Sequence, residues 1–82
     1  MARIIDGNEM NMIGGNLRRI RTEQKMSQQT LSNRLEMMAI YICRGSISRI
    51  EDKQRTVTDI ELYGIAKVLG VPVIALFECD VL

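Results

Sequence analysis

Apolar residues recur at helical spacing near the start of the chain. Ile13, Leu17 and Ile20 lie four and three residues apart, which places them on one face of a helix. We predict this first helix over about residues 12–24. Asn11 is suited to cap its start, although two consecutive glycines weaken its first turns by about 1 kcal/mol each.

A second helix is predicted to begin after Ser27, a residue type that favours helix N-termini. Met26 and Leu31 flank this start with the spacing of a hydrophobic staple. Leu31, Leu35 and Met38 are expected to form the buried face of this helix.

Residues 39–43 are apolar and partly β-branched, so local propensity alone would allow a strand. A single strand without a partner is unstable, and we therefore predict an extended, partly buried turn. A third helix should then begin at Arg44. Cys43 is a poor cap for it, but Ile42 and Ile47 have the staple spacing and support the boundary.

The fourth helix has the clearest start in the chain, because Thr58 and Glu61 have the spacing of a capping box. Gly70 should end it in a left-handed conformation, and Pro72 fits the first position of a fifth helix through about Phe77. The inner face of the fourth helix should comprise Leu62, Ile65, Ala66 and Leu69. The pattern predicts an all-α domain of five short helices over residues 11–82, after a flexible arm at residues 1–10.

The third helix divides into an apolar and a polar side when it is drawn at 100° per residue. Ile47 and Ile50 fall on one side and should be buried. The other side carries Arg44, Gly45, Ser48, Arg49 and Asp52. Such a polar side is free to enter a DNA major groove, where Arg can donate two hydrogen bonds to guanine. Simple solvation of the arginines is the alternative.

Two further places offer donors for phosphate groups. The start of the second helix presents backbone N–H groups at Gln28 and Gln29, and the Gln28 side chain adds another. Lys53 and Arg55 follow the third helix and could hold the same DNA strand. An ordinary basic surface turn is the alternative for this loop.

Charge is unevenly distributed along a chain whose net charge is only +1. Residues 16–58 contain nine basic and four acidic residues, a net +5, whereas the rest of the chain from residue 59 has one basic and four acidic residues, a net −3. A basic middle suits a polyanionic partner on one side of the domain.

From Ile13 to Phe77 the chain resembles the Cro/CI-type helix-turn-helix family, also called XRE-like regulators. The resemblance rests on residues in all the predicted helices: Leu17, Ile20-Arg21, Met26-Ser27-Gln28, Leu31, Arg44 to Glu51, Glu61-Leu62, Ile65-Ala66 and Leu69-Gly70-Val71. It implies that Gln28 contacts a phosphate, that the third helix reads bases, and that Arg21 pairs with Glu51.

The chain departs from the family pattern in four places. The link between the second and third helices is about five residues longer than the usual tight turn. Gly45 replaces a frequent base-reading Gln or Ser, Cys43 replaces a capping Ser or Thr, and Lys53 replaces a Gly.

The C-terminal end has more apolar residues than one short helix can bury. We expect a dimer interface formed by Val73, Ile74, Phe77, Val81 and Leu82. The resemblance also implies dimers through this end. Two recognition helices about 34 Å apart would fit a palindromic operator.

Other functions find little support in the composition. The chain has no His, and its two cysteines, Cys43 and Cys79, fit no metal spacing, so we expect no enzyme, metal or cofactor. No apolar run is long enough for a membrane span or signal peptide, and we expect a cytoplasmic protein. Cys43 is either an oxidant sensor or, more simply, a small half-buried side chain. The methionines are interpreted as core filler: Met10, Met12, Met26, Met37 and Met38.

The sequence thus predicts a sequence-specific regulator of double-stranded DNA, acting as a homodimeric repressor. Arg44, Ser48 and Arg49 would read bases. The alternative is an antitoxin or adaptor that binds a partner protein through its apolar C-terminal segment.

Overall fold

The computed structural model describes residues 8–77, and all of the regular secondary structure in that range is helical. The four α-helices are α1 (Gly14–Glu23), α2 (Gln28–Glu36), α3 (Arg44–Glu51) and α4 (Asp59–Leu69). A 3-10 helix, Val73–Phe77, follows α4. The all-α prediction is therefore confirmed for the described residues.

The predicted fifth α-helix is not present in that form. The residues after Pro72 form a single 3-10 segment of five residues, and the Ala75 N–H donates to the Pro72 carbonyl three residues earlier at 2.9 Å. So short a segment gives few i to i+4 hydrogen bonds to offset the cost of nucleating an α-helix.

The predicted helix boundaries at α2 and α4 are confirmed by their caps. The Ser27 hydroxyl accepts the Thr30 N–H at 3.0 Å. At α4 the Thr58 hydroxyl accepts the Glu61 N–H at 3.1 Å, while the Glu61 carboxylate accepts the Thr58 N–H at 3.0 Å. Gly70 ends α4 with φ at 70°, a conformation that favours glycine.

Asn11 caps the start of α1 and also ties it to α3. Its Oδ1 accepts the N–H groups of Ile13 and Gly14 at 3.1 and 2.9 Å. Its Nδ2 donates to the carbonyls of Ile50 at 3.0 Å and Arg55 at 2.8 Å. One side chain thus joins the chain before α1 to the end of α3 and to the loop beyond it.

The predicted N-terminal arm lies mostly outside the described residues. Of its described part, Met10 donates its N–H to the Lys53 carbonyl at 3.0 Å, and the Glu9 carboxylate lies 3.5 Å from Lys53 Nζ.

The core lies where the inner faces of the four helices and the 3-10 helix meet. Its fully buried large side chains are Leu17, Leu31, Leu35, Ile47, Ile50, Ile65 and Leu76. Asn16 Nδ2 donates to the Leu76 carbonyl at 3.0 Å and so joins α1 to the 3-10 helix. No helix in residues 8–77 is long and apolar enough to cross a membrane.

The methionine prediction is wrong for most of its members. Met26 is buried, but Met38 is 39% exposed and Met37 is 87% exposed. Since α2 ends at Glu36, these two residues lie in the turn and no longer follow the apolar face of the helix. Met10 and Met12 are also exposed.

The extended turn predicted for residues 39–43 is confirmed. Ile40 and Ile42 are buried, Tyr41 between them is exposed, and the segment has no regular secondary structure. The Ser32 hydroxyl donates to the Ile42 carbonyl at 2.7 Å, which anchors the turn against α2.

Candidate nucleic-acid interface

The helix α3 presents the predicted polar side to solvent. Ile47 and Ile50 are each 0% exposed. Arg44 and Arg49 are exposed, and Ser48 is half-buried. Burial of the two isoleucines fixes the rotation of the helix, so its other side is accessible to a partner.

Cys43 begins α3 without using its side chain as a cap. It is exposed, so the expectation of a half-buried side chain is wrong; the preceding Ile42 takes the buried position at this boundary. Hydrogen bonding with the Ser46 hydroxyl, 3.4 Å away, lowers the pKa of the Cys43 thiol. Cys79 lies outside the described residues.

A buried carboxylate, Glu51, fixes α3 against α1 and α2. Its side chain is 0% exposed. Arg21 Nε donates to Glu51 Oε2 at 2.7 Å and Arg21 Nη2 to Oε1 at 3.1 Å, which is the pair that the family resemblance implies. Arg18 Nε and Gln28 Nε2 also donate to Oε1, at 3.2 and 2.9 Å.

Burial and hydrogen bonding act in opposite directions on this carboxylate. Burial raises the pKa of Glu51, but the hydrogen bonds from Arg21, Gln28 and Arg18 outweigh it and hold the pKa below its ordinary value. The carboxylate therefore stays ionised at neutral pH and holds three helices together.

Two members of this cluster were not predicted from the sequence. Arg18 bridges Glu51 and Asp52, with its Nη2 donating to Asp52 Oδ1 at 2.8 Å. The sequence signal for this contact is spacing: Arg18 lies one helical turn before Arg21, so both side chains lie on the same side of α1. Gln28 was assigned to a phosphate, but its side chain is half-buried and donates to Glu51 in the free protein.

The neighbouring Gln29 is exposed and donates from Nε2 to Asn33 Oδ1 at 3.0 Å. It lies in the first turn of α2, where backbone N–H groups have no acceptor within the helix. This end of α2 remains accessible on the surface.

The basic loop after α3 is held by acidic residues of the protein itself. Arg55 donates from Nη1 and Nη2 to the two Glu61 oxygens at 2.9 and 2.8 Å. This pairing raises the pKa of Arg55 and lowers that of Glu61. The Lys53 ammonium group lies 3.5 Å from the Glu9 carboxylate. The φ of Lys53 is 61°, which explains why glycine is common at this position in the family.

The predicted dimer residues are partly exposed where the structure describes them. Val73, Ile74 and Phe77 all reach the surface. Val81 and Leu82 lie outside the described residues. Ile60 and Tyr63 on α4 are also exposed, although neither was predicted to belong to an interface.

The chemistry of this surface is that of hydrogen-bond donors. Residues 8–77 contain no cluster of His, Cys, Asp or Glu that could hold a metal ion. Arg44, Ser48 and Arg49 instead offer guanidinium and hydroxyl groups on one side of an exposed helix, a set suited to base edges and phosphates.

Three solved structures are similar to this fold. The restriction-modification controller protein C.AhdI from Aeromonas hydrophila has a TM-score of 0.71 and 27% identity over 80% of this chain and 92% of its own. The DNA-binding domain of BldD has a TM-score of 0.70 and 27% identity over 90% of this chain and 100% of its own. The hypothetical transcription factor NHTF from Neisseria has a TM-score of 0.73 over 98% of this chain and 87% of its own; at 21% identity it supports the fold alone.

The sequence matches one family model, described as helix-turn-helix, over residues 17–76. No curated protein is similar enough in sequence to match. Because the family model spans α1 through the 3-10 helix, the chain belongs to the XRE-like helix-turn-helix family of DNA-binding transcription regulators.

Proposed function

We propose that the protein binds a specific double-stranded DNA sequence as a dimer and represses transcription from the promoter that it occupies. The observation that carries the proposal is the orientation of α3, whose isoleucines are buried and whose arginines face outward. Repression needs only occupancy of a promoter, which a small domain can achieve without further machinery.

In this proposal Arg44, Ser48 and Arg49 read base edges in the major groove. Gln29, Lys53 and the backbone N–H groups of the first turn of α2 hold phosphates. Gln28 and Arg55 were expected to do the same, but a phosphate would have to compete there with the carboxylates of Glu51 and Glu61.

Dimerisation would place two α3 helices on one face of the duplex. The proposed interface comprises Val73, Ile74 and Phe77 together with Val81 and Leu82. Half-sites about 34 Å apart, related by a two-fold axis, would then form a palindromic operator.

Selection of bound sequences from a random duplex pool tests this proposal directly. A palindromic consensus with half-sites one helical turn apart would support sequence-specific binding by a dimer. Enrichment of no sequence at all would contradict the proposed function.

The substitution Arg49→Ala is expected to reduce discrimination between the selected site and random DNA by roughly 10- to 100-fold. The reason is the loss of a bidentate contact to guanine, worth about 1–3 kcal/mol of discrimination. Competition titrations with the selected and the random duplex measure this ratio.

Arg49→Lys is the matched control because it keeps the positive charge but cannot form the bidentate hydrogen bonds of a guanidinium group. It should also lose discrimination. Equal weakening on both duplexes by Arg49→Ala, with Arg49→Lys like the original protein, would mean that Arg49 contacts phosphate only.

The substitution Lys53→Ala should weaken binding to all duplexes alike. Removing one phosphate contact should lower the slope of log K against log salt by about 1. Alanine is subject to the same steric restriction as lysine at positive φ, so the substitution does not relieve strain in the backbone of the loop. Lys67→Ala, at an exposed position of α4, should leave the slope unchanged. An unchanged slope in Lys53→Ala would exclude the proposed contact.

A second candidate function is an antitoxin or adaptor that binds another protein. The exposed apolar side chains of Ile60, Tyr63 and Ile74 favour it. Co-purification of a stoichiometric protein partner, lost on replacing Ile74 by a charged residue, would support this candidate.

A further inference from the structure

The link between α2 and α3, residues 37–43, holds Tyr41 in a defined outward position. The link starts with the hydrogen bonds of a Schellman motif: the Ile40 N–H donates to the Leu35 carbonyl at 3.0 Å, and the Ala39 N–H to the Glu36 carbonyl at 2.9 Å. Ala39 takes the left-handed position of that motif with φ at 60°. The exit of the chain from α2 is therefore fixed.

Burial of the neighbours of Tyr41 fixes its direction. Ile40 and Ile42 point into the core, and the Ile42 carbonyl accepts the buried Ser32 hydroxyl. In an extended segment alternate side chains point to opposite sides, so Tyr41 must point outward. It is 76% exposed.

Tyr41 shares a surface groove with residues already proposed to bind DNA. The groove has a volume of about 490 Å³ and lies between α2, the link and the start of α3. Gln29 and Asn33 line it from α2, and Arg44 lines it from α3. The N-terminal residues of a recognition helix are those that reach base edges, so a side chain beside Arg44 lies close to a bound duplex.

We propose that Tyr41 donates its phenolic hydroxyl to a backbone phosphate next to the bases read by Arg44. This inference rests on the proposed function and adds a residue to it. Tyrosine is among the side chains that position proteins on DNA through phosphate oxygens. The link of residues 37–43 is longer than the usual tight turn, and it thereby adds a DNA contact that a tight turn could not make.

The charges in the groove limit where the phosphate lies. Glu36 lines the groove at the C-terminal end of α2, and its carboxylate repels a phosphate there. Arg44 at the start of α3 attracts one. The contact is therefore assigned to the part of the groove that Tyr41 shares with Arg44 and Gln29.

The test compares Tyr41→Phe with Tyr63→Phe. The two positions hold the only tyrosines of the chain, and Tyr63 lies on α4, where its ring contacts the Lys67 ammonium group 5.5 Å from the ring centre. Tyr41→Phe removes one hydroxyl and should weaken binding to the selected duplex about tenfold. Because a phenol carries no charge, the salt slope should not change, unlike that of Lys53→Ala. Tyr63→Phe should bind like the original protein.

Tyrosine emission gives a second measurement, because the chain contains no Trp. The Tyr63→Phe protein reports Tyr41 alone, and its emission should change when the duplex is added. The Tyr41→Phe protein reports Tyr63 alone, and its emission should not.

Each outcome decides the inference. Tenfold weakening by Tyr41→Phe with an unchanged slope supports it. If the original protein binds its site and Tyr41→Phe binds equally well, the inference is wrong and the proposed function stands. If the original protein binds no duplex, both are wrong. A change of oligomeric state in Tyr41→Phe, seen by sedimentation, would assign the link to a protein interface and overturn the inference.

Discussion

Glu51→Ala is expected to destabilise the domain by about 3–5 kcal/mol, because it leaves the largely buried Arg21 guanidinium without its carboxylate partner. A domain of this length has roughly 4–12 kcal/mol of stability in total, so the substitution should remove about a quarter of it or more. Urea titration followed by circular dichroism measures the change in the free energy of unfolding.

Two controls separate charge from packing in this prediction. Glu51→Gln keeps the size of the side chain and removes its charge, and it should also destabilise the domain. Glu23→Gln removes an exposed partner of Arg19 and should change stability by less than about 1 kcal/mol. A Glu51→Gln protein as stable as the original would show that the ion pair contributes nothing.

The stabilisation by Glu51 should depend on pH in a defined direction. Since the pKa of Glu51 is lower in the folded than in the unfolded chain, the stabilisation is complete above the unfolded pKa. It is lost as the pH falls through the lower, folded-state pKa. The Glu51→Gln protein should therefore lose less stability than the original when both are acidified.

Gly14→Ala is expected to destabilise the domain by about 2 kcal/mol, although alanine is the better helix former. A Cβ at Gly14 would collide with the Ile50 carbonyl oxygen and lie 2.9 Å from the Glu51 carbonyl oxygen. Backbone atoms cannot move aside as a flexible side chain can, so α1 would have to shift away from α3. Overpacking of this kind costs about 1–3 kcal/mol or more.

Gly15→Ala is the matched control in the next position of the same helix. A Cβ there meets nothing within 4 Å. The substitution should stabilise the domain by up to about 1 kcal/mol through helix propensity alone. Thermal unfolding of the two proteins should give shifts of opposite sign, and equal shifts would contradict the close approach of α1 to α3.

Local signals in the sequence predicted the elements well. The capping box of Thr58 and Glu61, the Ser27 cap and the Gly70 terminus each depend on residues close together in the chain. The inward side of α3 followed from the spacing of Ile47 and Ile50 alone, because helical geometry fixes which residues share a face.

Contacts between distant residues were harder to predict. Gln28 donates to Glu51 from 23 residues away, and Arg18 donates to the same carboxylate from 33 residues away. Long polar side chains reach whichever partner the packing of the helices brings near, and residue spacing does not contain that geometry. The family resemblance supplied the Arg21–Glu51 pair, which spacing alone could not.

The exposure of Met38 shows another limit of periodicity. The apolar pattern continued past Glu36, but the helix did not, because Ala39 adopts a left-handed conformation that ends it. Alanine gives no signal for such a turn, whereas a glycine at that position would have given one.

Two asparagines near the N-terminus, Asn11 and Asn16, have a consequence for how the protein folds. Asn11 donates hydrogen bonds to carbonyl groups 39 and 44 residues further along the chain, and Asn16 donates to one 60 residues further along. The contacts that fix α1 therefore come from parts of the chain far from it in sequence. Because these contacts are long-range, α1 is completed only when residues as far along as Leu76 have packed, which makes its formation depend on that of the rest of the fold.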